Sequence, residues 1–174
     1  VNATRGHSSA FKQLALLNYL RRLIPGRIPV VLVGDSEFGA IEVMRQLETW
    51  NWSYVLRQKA SHQIQIAGQV WQDLGAVLTQ PGDSLWLGKS VLTVKHAHVT
   101  NLLAHWQVGE KEAWLLATNL GERTLTLRTY DRRMWTEEMF GDLKSNGFDL
   151  ESTHLQHVAR LSRLTLAVVL LYTW

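Results

Sequence analysis

Residues 28–34, Ile-Pro-Val-Val-Leu-Val-Gly, are apolar almost without interruption. A strand with one wet face alternates apolar and polar side chains, whereas a strand covered on both faces does not. This run therefore calls for a parallel sheet with helices packed on it. The flanks agree. Residues 10–24 place Phe11, Leu14, Leu17, Leu20 and Ile24 three or four apart, with Ser9 as N-cap and Pro25-Gly26 as a stop. Residues 38–50 repeat the helical period through Ile41, Met44 and Leu47. Residues 53–56 read as a second short strand, ending at Arg57 and Lys59. Helix, strand, helix, strand predicts an α/β fold.

Asp35 follows the apolar run directly. A carboxylate at the carboxyl end of a buried strand sits where open α/β sheets bind ligands. The competing reading is that Asp35 or Ser36 caps the next helix.

From residue 60 to 118 the pattern changes to short alternating segments, at 63–66, 84–87, 91–98, 102–108 and 113–118. Turn residues divide them, notably at 80–83 and 108–111, which predicts antiparallel strands. His96 and His98 alternate, so a strand would put them on one face, with His62 and His105 in the same stretch. Without a third ligand they are weak evidence for a metal site. Trp71, Trp86 and Trp106 lie in this region, where hairpin packing is the ordinary role of a tryptophan.

Residues 129–144 carry the densest chemistry. Tyr130, Arg133, Glu137 and Lys144 are separated by three, four and seven positions. On a single helix these offsets fall within an arc of about 60°. Trp135, Met139 and Leu143 would form an apolar stripe on the other side. A carboxylate, a guanidinium and an ammonium on one stripe suit a phosphodiester site, with Glu137 for a divalent metal and the cations for phosphates. The bland alternative is a surface helix with an Arg133–Glu137 ion pair. A last helix, from about residue 154, would bury Leu155, Val158, Leu161, Leu164 and the run 167–171.

Tyr-x2-Arg-x3-Glu-x6-Lys resembles the signature of a large group of bacterial insertion-sequence transposases with a DDE catalytic triad. All four positions match. Phe140, Gly147-Phe148 and Glu151 continue the likeness. Relatives often carry an aromatic directly after the motif Arg; here Met134 stands there and Trp135 follows, so no role is carried over. Asp35-Ser36-Glu37-Phe38-Gly39 is similar to the family's strand-ending acid and places Asp35 as the second acid of the triad.

The resemblance implies a ribonuclease H-like fold in which residues 60–118 are an antiparallel β insertion, one that in relatives often stacks an aromatic on a base. It implies catalytic, metal-binding roles for Asp35 and Glu137 with two Mg2+ (or Mn2+) ions. Tyr130, Arg133, Lys144, Arg57 and Lys59 become the candidate DNA contacts. The implied partners are transposon-end DNA and target DNA, bound by a homodimer in the cytoplasm.

No aspartate precedes Asp35, whereas the family's first acid lies on the opening strand of the sheet. The expectation is a fragment of a catalytic domain, residues 1–174, that lacks the opening strands and does not cleave DNA alone. It also predicts partly uncovered apolar sides at 28–34 and 53–56. A non-catalytic DNA-binding remnant and a nuclease of related fold are the alternatives. A net charge of +3 is compatible with DNA but does not argue for it. With no cysteine, disulfides and Cys-based zinc sites are excluded. The longest apolar run, residues 164–174, is too short to cross a membrane.

Overall fold

The apolar run forms strand β1 (Val31–Gly34), and β2 (Ser53–Arg57) lies parallel to it, with Val31 opposite Ser53 and Gly34 opposite Leu56. Helix α2 (Ile41–Thr49) makes the crossover and α1 (Ala10–Leu23) precedes it. The computed structural model describes residues 8–143, 154 and 157–173. Residues 1–130 and 131–174 are two compact units.

In the first unit, β7 (Trp114–Thr118) adds antiparallel to β2, followed outward by β6 (His98–His105), β5 (Ser84–Leu92), β3 (Gln63–Ile66) and β4 (Gln72–Asp73). A short 3-10 helix, Leu74–Val77, follows β4. The strands of residues 60–118 therefore extend the same sheet as β1 and β2, seven strands among the described residues.

Period-two alternation splits the sheet into two cores. Tyr54, Leu56, Leu102, Ala104, Leu115 and Ala117 face one way and pack with Leu17, Met44 and Leu47 of the first two helices. Val55, Leu103 and Leu116 face the other way. Helix α3 (Arg123–Asp131) lies on that second face through Leu127 and Tyr130.

The expectation of uncovered strands is met at one strand and not at the other. Ile28 and Val31 are exposed, and β1 is the sheet's edge among the described residues. It starts three residues later than the apolar run, beyond Pro29, which has no N–H for a ladder. Tyr54, Val55 and Leu56 of β2 are fully buried.

Residues 91–98 are not one strand. β5 runs through to Leu92, the chain turns at residues 93–97, and Leu92 pairs back with His98. Thr93 and Ala97 hold positive φ, and Ala97 N–H donates to the Thr93 carbonyl at 2.9 Å. Arg45 of α2 clamps this turn by donating to the His96 carbonyl at 2.7 Å. His96 and His98 thus do not share a strand face. His98 is buried and its Nε2 lies 3.3 Å from Glu48 Oε1. Burial lowers its pKa, outweighing the nearby carboxylate. The Tyr54 hydroxyl donates to the same Glu48 oxygen at 2.8 Å, and its own burial pushes the phenol well above its usual value.

The second unit holds α4 (Arg133–Gly141) and α5 (Val158–Thr173). α5 begins four residues later than the sequence suggested, and Leu155 lies outside the described residues. Val158, Leu161, Leu166 and Leu170 are exposed, and Val168 is the one buried side chain described in this helix. The core-packing reading of the last helix therefore holds at Val168 and not at Val158, Leu161 or Leu170. Among the described residues, no helix is long and apolar enough to cross a membrane.

Candidate nucleic-acid interface

Parallel register puts Asp35 and Arg57 level with each other, each one residue beyond the paired Gly34 and Leu56. Asp35 does not cap α2, whose N-cap position is Ala40. Its Oδ1 accepts the Glu37 N–H at 3.0 Å and its carbonyl accepts the Phe38 N–H at 3.1 Å. This self-contained turn fixes the carboxylate at the strand tip.

Two glycines make the turn possible. A Cβ on Gly34 would lie 2.9 Å from the Phe38 Cβ and 3.0 Å from a Leu56 methyl. A Cβ on Gly39 would lie 2.7 Å from the Arg57 carbonyl oxygen. The loop after β1 is thus pressed against the end of β2. Buried Gln58 locks that end from the other side. Its N–H donates to the Leu115 carbonyl at 2.6 Å, its Nε2 to the Leu56 carbonyl at 3.2 Å, and its Oε1 meets His62 Nδ1 at 3.1 Å. Burial lowers the His62 pKa, helped by the Lys59 charge.

A cavity of about 490 Å3 opens beside this strand end. Ser36, Arg57, Lys59, Trp106, Lys111 and Glu112 contribute to its wall. Arg57 Nη2 contacts Glu112 Oε2 at 2.9 Å and donates to the Ala113 carbonyl at 3.2 Å. Of the three tryptophans singled out in the sequence, Trp106 is the one on this wall. Its Nε1 donates to the Glu110 carbonyl at 3.0 Å. Trp86 packs on the opposite sheet face, beside Leu103 and Tyr130, and Trp71 directly precedes β4.

The signature residues do not lie on one uninterrupted helix. α3 ends at Asp131, Arg132 is a turn, and α4 begins at Arg133. Tyr130 is 2% exposed and packs edge-on against Trp114, ring centroids 5.0 Å apart. The apolar sheet face captures it, which removes it from a solvent-facing stripe. In α4, Arg133 Nη2 lies 2.6 Å from Glu137 Oε1, the i,i+4 pair that the spacing allowed. The complementary apolar stripe is only partly formed: Leu143 is buried, whereas Trp135 is 64% exposed. Lys144 lies outside the described residues.

The residues proposed for a metal fit a hard divalent cation in kind, because both supply carboxylate oxygen. Among the described residues, however, no three His, Cys, Asp or Glu side chains come together as a metal-binding group. Asp35 belongs to the first unit and Glu137 to the second.

Gln58, Lys111 and Glu112 were not singled out in the sequence. Lys111 ends a turn that its residues announce, but nothing local announces that this turn reaches β2.

The first unit thus combines a strand-tip acid, a basic cleft beside it and a mixed α/β sheet. The family model for the transposase DDE domain matches residues 1–174, and the chain belongs to that family. Membership brings transposition-related DNA cleavage and the general use of divalent metal ions. No curated protein matches the chain.

Proposed function

We propose that the chain is part of the catalytic domain of an insertion-sequence transposase of the Tyr-x2-Arg-x3-Glu-x6-Lys group. Its sheet is ribonuclease H-like, with residues 60–118 as the β insertion. The observation that carries the reading is Asp35 level with Arg57 at the carboxyl ends of two parallel strands, beside a basic cleft.

Asp35 and Glu137 would hold Mg2+ or Mn2+, two ions in the intact enzyme. When bound, such ions activate water and then a 3′ hydroxyl for attack on a phosphodiester. Within α4, Arg133 holds one oxygen of the Glu137 carboxylate and so fixes its orientation. Arg57 and Lys59 contact the DNA backbone, and Lys144 is a further phosphate contact. Tyr130, being buried, braces α3 on the sheet instead of touching phosphate. Trp106 is the aromatic offered to a base, since it shares the cleft wall with the cations. The substrates are transposon-end DNA and target DNA, handled by a homodimer in the cytoplasm.

Titration with Mn2+, followed by the electron paramagnetic resonance signal of the free ion, tests the carboxylate roles. Asp35→Asn and Glu137→Gln should each weaken binding. Unchanged affinity in both variants would refute them.

A further inference from the structure

We infer that Glu112 is a resident stand-in for a DNA phosphate, bound to Arg57 until DNA displaces it. The inference rests on reading the cleft as a DNA-backbone site. It goes beyond that reading by naming a residue that regulates access to it.

Arg57 is positioned by two acceptors of different kinds. The Ala113 carbonyl belongs to the backbone directly before β7, next to Trp114, which is paired with His105. The Glu112 carboxylate sits on a side chain that is 78% exposed, at the end of the turn between β6 and β7. Arg57 itself is only 26% exposed. Both acceptors meet the same nitrogen, Nη2; the backbone carbonyl is fixed, whereas the carboxylate sits on an exposed side chain that can turn into solvent.

A carboxylate and a phosphate present the same charge sign and matching oxygen pairs to a guanidinium. An exposed pair of this kind contributes little to stability, so exchanging its acid for a phosphate costs little. The charges around the cleft agree with exchange. Arg57, Lys59 and Lys111 contribute three cations to its wall and Glu112 one anion. Removing Glu112 from Arg57 leaves the cations unopposed toward an incoming backbone. DNA then binds by swapping anions at Arg57, and the Ala113 carbonyl keeps the guanidinium aimed throughout.

The test is fluorescence anisotropy of a short labelled DNA duplex, titrated with the chain across a range of salt. Glu112→Gln should tighten binding by about two- to five-fold at low salt. Glu110→Gln removes the same charge from the same turn, but not the carboxylate on Arg57, and should tighten binding less. In an Arg57→Ala background the gain from Glu112→Gln should vanish. Equal gains from the two glutamines, or an undiminished gain without Arg57, would overturn the exchange. If Arg57→Ala alone leaves DNA affinity unchanged, the reading of the cleft fails first and the exchange falls with it. If Arg57→Ala weakens binding while Glu112→Gln changes nothing, only the exchange fails.

Discussion

The two ends of the β1–β2 pair look alike by composition and differ in construction. Beyond the amino ends, Arg21, Arg22, Trp50 and Trp52 line a cavity of about 280 Å3. Beyond the carboxyl ends, Arg57, Lys59, Lys111 and Trp106 line one of about 490 Å3. Each combines cations with indoles. At the amino end, however, the cations have structural work. Arg21 and Arg22 occupy the last turn of α1, where positive charge offsets the helix dipole. Arg21 also lies over the Trp50 ring, 5.3 Å from its centroid. At the carboxyl end Asp35 and Arg57 each follow the last paired residues of the two strands, Gly34 and Leu56. One partner of the Arg57 guanidinium is an exposed acid that can be exchanged. Basic and aromatic residues in a cavity do not by themselves define a site. What distinguishes one is a charge held in place by the core while its outer face can change partner.

The largest expected effect breaks both ends together. Leu56 is fully buried in β2 and packs beside Gly34, so Leu56→Ala should cost about 2–5 kcal/mol, read by denaturant unfolding. A smaller change should break the carboxyl end alone. Gly39→Ala would push a Cβ to 2.7 Å from the Arg57 carbonyl, a backbone atom that yields only if the strand end shifts. We expect a loss of about 1–3 kcal/mol, with weaker DNA binding as Arg57 moves.

The smallest effect sharpens the comparison through pH. His62 belongs to the carboxyl end, and burial lowers its pKa below 6.5 in the folded chain. The unfolded chain then binds the proton more readily. The contribution is fully present above about pH 6.5 and is lost as pH falls toward the folded value. His98, near the hairpin turn, shifts in the same direction. His62→Gln should therefore flatten part of the decline in melting temperature on acidification, and leave the part due to His98. An unaltered pH profile would show that His62 is not held neutral by its burial and the Lys59 charge.

Much of this end was legible in the sequence. The predicted first helix, 10–24, and the second strand, 53–56, each match within one residue of their observed bounds. Asp35 was placed at a strand tip because a continuous apolar run of β-branched residues has few other ways to be buried. Three things were not legible. The interruption at Arg132 carries no Gly or Pro, and Arg132 keeps right-handed helical dihedrals (φ −61°, ψ −17°), so the periodicity gives no warning. Burial of Tyr130 depends on Trp114, which meets it only after the sheet is assembled. The Arg57–Glu112 pair likewise joins positions 55 residues apart through the sheet. Helical offsets describe neighbours on one element, and these contacts lie between elements.

The most direct test of the claim that the carboxyl end is the DNA-backbone site compares Arg57→Ala with Arg21→Ala. Both remove one guanidinium beside a cavity, and the measurement is the slope of log K against log salt for a DNA duplex. The account predicts that Arg57→Ala flattens the slope by about 0.9, the share of a single phosphate, while Arg21→Ala leaves it unchanged. Equal flattening in the two variants, or flattening with Arg21→Ala alone, would contradict it.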